Sequence, residues 1–217
     1  MSTSDLIQQL AATATPVHRL APPWQRAALW FAISLPYVGA ITLFHPMNFE
    51  LAQISDARFV VEELAALTTA IMAAIAAFWS IIPGYRRGLI LLPLVPLAIW
   101  LAVLGEGCAQ DWLRLGDTGL TLHSDWACLP IAVVIGIVPA IVMVAMLRRG
   151  APLVPHTTLA LAAVAVAALG NFAMRLFHVG DVSLLLLVWH FGTVVLLAFL
   201  ASLLGGRILN WQHVKAA

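Results

Sequence analysis

Charge is what this sequence has least of. Only 10% of its 217 residues are Asp, Glu, Lys or Arg, and 62% are hydrophobic. An ordinary soluble domain carries about 25% charged residues. The composition therefore excludes a soluble globular protein and predicts an integral membrane one. The few charges nearly cancel, to a formal net charge of +1, so bulk electrostatics implies no nucleic-acid partner. Cysteine is as sparse. Two thiols, Cys108 and Cys128, cannot make a disulfide scaffold, although they allow one bridge. No CxxC, GxGxxG, P-loop, HExxH or GxSxG pattern occurs, which removes the common redox, nucleotide, zinc-protease and hydrolase signatures. The chain does not open on a basic start followed by an apolar core. Its first residues contain Pro16, Pro22 and Pro23, so no cleaved signal peptide is predicted.

What is present is a series of long apolar runs. They predict an all-α, polytopic membrane protein with six transmembrane helices. The spans run from Ala27 to Phe44, Phe59 to Ile82, Gly88 to Leu104, Leu129 to Leu147, Thr157 to Phe177 and Val182 to Leu204. Pro36 lies inside the first, where a membrane helix tolerates a kink; Pro93 and Pro96 lie in the third. The chain divides into an N-terminal segment 1–26, a transmembrane domain 27–206 and a tail 207–217. Six crossings put both termini on one side. That side collects Arg19, Arg26, Arg86, Arg87, Arg148, Arg149, Arg207 and Lys215, against Arg58, Arg114 and Arg175 on the other. The positive-inside rule then makes both termini cytoplasmic.

The longest polar interruption is the outer loop 105–128, GEGCAQDWLRLGDTGLTLHSDWAC. It holds both cysteines, Trp112, Trp126, His123 and five charged residues. With His45, His178 and Asp181 it gathers thiols, imidazoles and carboxylates on the outer side, groups that soft and borderline metal ions prefer. Three readings stay open: a Cys108–Cys128 disulfide in an oxidising compartment, a metal- or redox-sensing pair, or two unrelated cysteines. A sensed metal ion would take Cys108, Cys128 and His123; no resident cofactor is implied. The tryptophans read as interfacial anchors.

Three acid and imidazole side chains fall inside spans. Glu62 and Glu63 sit in the first turns of the second, either as a functional site or as interfacial acids that reach headgroups or pair with Arg58. His190, beside Trp189 in the sixth, reads as a helix–helix hydrogen-bonding group, since no second ionisable group is placed at mid-membrane. Ala70, Ala73, Ala74 and Ala77 give the second span a small-residue face for close packing. In the N-terminal segment, Ser4-Asp5 begins a helical pattern of Leu6, Ile7, Leu10 and Ala11. By pattern alone this is a frayed tail; the other reading is a helix that docks its apolar stripe on a partner.

The order and spacing of four stretches resemble those of a known family. They are DLIQQLAATATPVHRLAPPW, RFVVEELAALTTAIMAAIAAFWSIIPG, CLPIAVVIGIVPAIVMVAMLRRGAPLVP and DVSLLLLVWHFGTVVLLAFLASLLGGRILNW. The chain is similar to the NrsF-like negative regulators of sigma factor F. These are six-span anti-sigma factors of the proteobacterial inner membrane that restrain an extracytoplasmic-function (ECF) sigma factor. The resemblance implies an ECF sigma factor as partner, held by the N-terminal segment through Asp5, Leu6, Ile7 and Leu10. It implies no enzymatic activity and no direct nucleic-acid binding. It further implies release under heavy-metal or oxidative stress, sensed by an outer cysteine pair. Cys128 matches the family's first cysteine. The second follows a histidine after the fifth span, and here Phe177-His178-Val179 lacks it. Cys108 is the only other thiol: either it takes over the pairing, with Cys108, Cys128, His123 and His178 as the sensing residues, or the signal sensed here differs. A competing class is a small transporter for a metal or organic ion, with Glu62, Glu63 and His190 along its path. A membrane thiol oxidoreductase is a third, with no quinone or haem site to support it. The sequence assigns no oligomeric state.

Overall fold

A computed structural model describes residues 2–14, 20–44, 55–116, 128–175 and 192–209. The described residues form helices and turns without strands. The helices are α1 (Thr3–Thr13), α2 (Pro23–Phe44), α3 (Ala57–Ser80), α4 (Leu94–Leu115), α5 (Cys128–Leu147), α6 (Pro155–Arg175) and α7 (Gly192–Ile208), with a 3-10 turn at Arg87–Leu91 before α4. Five segments are long and apolar enough to cross a membrane: Pro23–Phe44, Ala57–Ser80, Arg87–Arg114, Pro130–Leu147 and Pro155–Arg175. The described part of the sixth apolar run, Val194–Ile208, is shorter than a span.

Helices α2 to α7 alternate in direction, as their cross-contacts show. Arg26, near the start of α2, donates to the Met146 carbonyl near the end of α5 and lies over the Phe78 ring near the end of α3. Ser80, the last residue of α3, hydrogen-bonds Thr158 in the first turn of α6, 2.7 Å away. His156 Nδ1 donates to the Ser202 carbonyl of α7 at 2.6 Å, and Arg148 Nε to the Ile208 carbonyl at 3.0 Å. One end of the bundle therefore holds Arg26, Arg148, Arg149 and Arg207 together with the turn that carries Arg86 and Arg87. The other end holds Glu62, Glu63 and Arg175.

Helices α3 and α6 make the centre. Ala70, Ala73, Ala74 and Ala77 of α3 and Ala165, Ala168 and Leu169 of α6 have no exposed surface. Alanine permits this because lipid supplies no hydrophobic drive between helices, so close contact of small residues must hold them. Round this pair, α2, α4, α5 and α7 turn Leu29, Ile33, Ile99, Val133, Ile137, Ile141, Leu196, Leu200 and Leu203 outward. A soluble monomer does not tolerate an apolar surface so extensive; a membrane helix requires it.

The boundaries differ from the sequence reading at three places. Helix α1 starts earlier than Ser4-Asp5, because Ser2 caps it: Ser2 Oγ accepts from the Asp5 amide while the Asp5 carboxylate accepts from the Ser2 amide. The third span, expected over Gly88–Leu104, ends later: the apolar segment runs over Arg87–Arg114, a 3-10 turn leading into α4. Pro93 and Pro96 belong to the cap and first turn of α4, where a missing N–H costs nothing. The same helix continues through Cys108 to Leu115, so residues 105–115, expected as loop, are helical. Gln110 supports the extension by donating to Glu106 one turn back, and Gly116, at φ 59°, ends it. Finally, α7 continues past Leu204 to Ile208. Gly205 and Gly206 do not stop it; Gly205 serves a close approach. A Cβ there would lie 2.6 Å from the Pro155 carbonyl oxygen and 2.7 Å from His156 Cα, both backbone.

Gly205→Ala is therefore expected to push α7 away from α6 and cost about 1–3 kcal/mol, the usual range for overpacking. Gly206→Ala, whose Cβ would meet only the His156 ring at 3.8 Å, should leave stability within about 0.5 kcal/mol of the parent. Thermal unfolding of the two detergent-solubilised variants measures the contrast. Equal stability of both would refute the close-approach reading.

Candidate functional site

Two features of the described structure combine position with chemistry. The first is at the end of the bundle opposite the arginines. Glu62 and Glu63 lie in the second turn of α3, about 8–9 Å along the helix from Ala57 at 1.5 Å per residue. Both side chains are buried. Across the α3–α6 contact, Arg175 at the end of α6 places Nε 3.6 Å from Glu62 Oε1, and its guanidinium lies over the Phe59 ring at 5.5 Å. Trp100 and Leu104 of α4, Ala66 of α3 and Asn171 of α6 complete a pocket of about 10 Å³ around the three charges. Asn171 is oriented by its side-chain N–H, which donates to the Ala167 carbonyl one turn back at 2.9 Å. Glu63 Oε2 is buried and has no hydrogen-bond partner.

This geometry corrects one expectation. The acids are not interfacial groups reaching outward, since both turn into the bundle, and the residue across from Glu62 is Arg175 on another helix. Arg175, counted on the side opposite the basic turns by the sequence, is the last residue of α6 at that end of the bundle. Its register was readable: Asn171 and Arg175 are four apart, so they share a face, and an antiparallel α6 brings that face to the start of α3. Below the pocket the seam closes on Ala70, Ala73 and Ala74, each without exposed surface, so no polar path continues from it toward the arginine end among the described residues.

The second feature is α1. Its Leu6, Ile7 and Leu10 are exposed, and none of its residues is buried. The helix is set by its capping box rather than by packing. Hydrogen bonds from the Ser2 backbone and then its side chain hold the Asp5 carboxyl below its ordinary value. Among the proposed partner-binding residues, Asp5 thus has a local structural task, while Leu6, Ile7 and Leu10 form an exposed apolar stripe.

The other sequence-derived residues are distributed unevenly. Cys108 is half-buried on α4, two turns from its end. Cys128 is the first residue of α5. His123, His178 and His190 lie outside the described residues, as does most of the loop between the cysteines, so their grouping is not described. Among the described residues no three His, Cys, Asp or Glu side chains come together as a metal set. The sequence reading also missed Arg26. It is buried, yet its guanidinium is held by the Met146 carbonyl and the Phe78 ring, which makes it part of the helix packing as well as a topological charge.

A model of the NrsF family, described as negative regulator of sigma F, matches residues 10–211. No curated protein and no solved structure matches the chain.

Arg175→Met should destabilise the bundle by about 3 kcal/mol, because it removes the cation that faces the buried Glu62. Adding Glu62→Gln should recover part of that loss, with a coupling energy of about 1 kcal/mol or more in a double-mutant cycle of thermal unfolding. Strict additivity would show that the pair does not act together. At α1, a depressed Asp5 means the cap's support is present above the ordinary carboxylate value and is lost as the pH falls through the lower, folded-state value. Carboxyl NMR titration of the full chain should find Asp5 below its ordinary value, and Ser2→Ala, which keeps the backbone N–H donor, should raise it only part of the way back.

Proposed function

This chain belongs to the NrsF family of negative regulators of sigma F, and from that premise we propose that it is a six-span anti-sigma factor of the bacterial inner membrane. Both termini are cytoplasmic, and the partner is a sigma factor of the ECF type. The protein acts by sequestration and not as an enzyme. Oxidative or heavy-metal stress on the outer side releases the partner.

The observation that carries this reading is α1. A short capped helix with an exposed apolar stripe precedes α2, whose start lies at the arginine-rich end of the bundle. Positive residues mark that end as cytoplasmic. An amphipathic helix made to lie on an anionic leaflet carries Lys or Arg on its polar face. Helix α1 carries neither, and its one charge is Asp5. Its stripe therefore suits an apolar protein groove better than lipid. The family match begins at Leu10, inside α1, so Asp5, Leu6 and Ile7 precede the matched residues. Their role rests on the exposed stripe.

On the outer side the reading uses Cys108, Cys128, His123 and His178. Oxidation or metal binding at the thiols would shift the helices between two arrangements, and the difference must change tail availability by a few kcal/mol to act as a switch. The closed alanine seam below Glu62 and Glu63 speaks against a transport path through the bundle.

The test is capture of ECF sigma factors by the detergent-solubilised full-length protein. Leu6→Asp with Leu10→Asp should weaken capture about tenfold or more, since each change places a charge in an apolar contact. Target-promoter repression should fall with it. Cys128→Ser should leave capture intact and blunt release under stress. Unchanged repression in the double aspartate variant would remove α1 from the mechanism, and an unchanged stress response in Cys128→Ser would remove the thiol.

A further inference from the structure

The pocket at Glu63 has a charge count that its own residues do not close. Of the charged groups lining it, Glu62 and Glu63 bring two negative charges and Arg175 brings one positive. Arg175 is engaged with Glu62 by Nε and with Phe59 by its π face. Glu63 is only 8% exposed, before any lipid covers the bundle, and its Oε2 has no hydrogen-bond partner. A carboxylate so placed costs several kcal/mol unless something neutralises or binds it.

We propose that this pocket binds one small monovalent cation of the size of sodium, held by the Glu63 carboxylate. Three observations select that ligand. Among the described lining residues the net charge is one negative, which a single positive charge balances, whereas a divalent ion would leave an excess beside Arg175. The donors are hard: carboxylate oxygens of Glu62 and Glu63 and the amide of Asn171, whose N–H is already committed to Ala167 and whose oxygen is left for the pocket. Oxygen donors of this kind favour hard ions over soft ones. The space, about 10 Å³, accepts about one water-sized occupant, which excludes an organic ammonium. The pocket lies at the end of α3 and α6 away from the arginines, about two turns from the start of α3, so an ion reaching it from that end need not cross the alanine seam.

The ion ties α3 to α6 and α4 in the folded state, so it acts as a ligand of the bundle and raises its stability with concentration. Its binding is independent of any sigma factor. The test is thermal unfolding of the full-length protein in detergent, with sodium chloride titrated against choline chloride at constant ionic strength. Sodium should raise the Tm saturably by a few degrees in the parent. Glu63→Gln, which keeps the shape and removes the charge, should fold with a Tm that no longer depends on sodium. Trp112→Phe, at an exposed position away from the pocket, should keep the parent's dependence. The proposal is overturned if sodium and choline give the same Tm, which would mean that Glu63 holds a proton and no ion. It is equally overturned if Glu63→Gln keeps the full sodium response, or if magnesium or calcium stabilises saturably where sodium does not.

Discussion

The fold depends on how closely α3 and α6 approach. In lipid, two apolar helices gain nothing by merely hiding apolar surface, so their association rests on contact and on polar clamps. Here alanines permit the contact along the middle, and two different clamps fix its ends. At the arginine end, Ser80 and Thr158 share a hydrogen bond at 2.7 Å, both buried. At the other, Glu62 faces Arg175. A shift of α6 by one turn would move it by about 5.4 Å. It would break both clamps and strand a hydroxyl pair and a charge pair in a medium with no water to take them up. Register between the central helices is therefore specified at both ends, and the outer helices are placed against a fixed pair.

The same economy appears at α7. It is attached to α6 by the glycine contact at Gly205, by His156 to the Ser202 carbonyl, and to the end of α5 by Arg148. Side chains donating to backbone carbonyls recur through this bundle. A helical carbonyl keeps a second lone pair, so it accepts such a bond without losing its place in the helix. That is how a chain with so few polar side chains still secures directional contacts.

Composition and periodicity carried the larger features. An all-helical chain, long apolar helices and the alanine face of α3 were legible because each follows from local spacing. What was illegible depended on partners brought in by the fold. Glu62 and Glu63 stood out as acids in a span, but their inward aim and the approach of Arg175 require the α3–α6 register, which no single segment contains. Gly205-Gly206 looked like a stop because glycine ends helices when it takes positive φ; in α7 it answers a backbone two helix ends away. Residues 105–115 read as loop because they open the longest polar interruption, yet the helix runs through them to Gly116. The capping box at Ser2 was one step from the pattern that was read, since Ser2 and Asp5 have the spacing that makes it. The cysteine, histidine and aspartate grouping of the outer side falls largely outside the described residues and stands on the sequence alone.

Helices α2 and α5 are joined directly by side-chain hydrogen bonds. Helix α5 begins at Cys128, and α2 follows the tail that carries α1. Along their contact, three side chains of α2 donate to carbonyls of α5: Tyr37 to Val134 at 2.6 Å, Trp30 to Pro139 at 2.9 Å, and Arg26 to Met146. The donors advance along α2 as the acceptors recede along α5, so the bonds span most of the bundle's height. Trp30 and Arg26 are buried, and breaking either bond would leave a donor without water. Pro36 and Pro139 lie inside the two helices, the positions at which each most readily bends. A displacement at the start of α5 must then either carry α2 with it or cost about 1–3 kcal/mol for each buried bond lost. Carrying α2 is the cheaper course, and it moves the segment to which α1 is attached. Movement at the start of α5 is thus linked to the segment before α2 by three donors on one helix and the carbonyls of its neighbour.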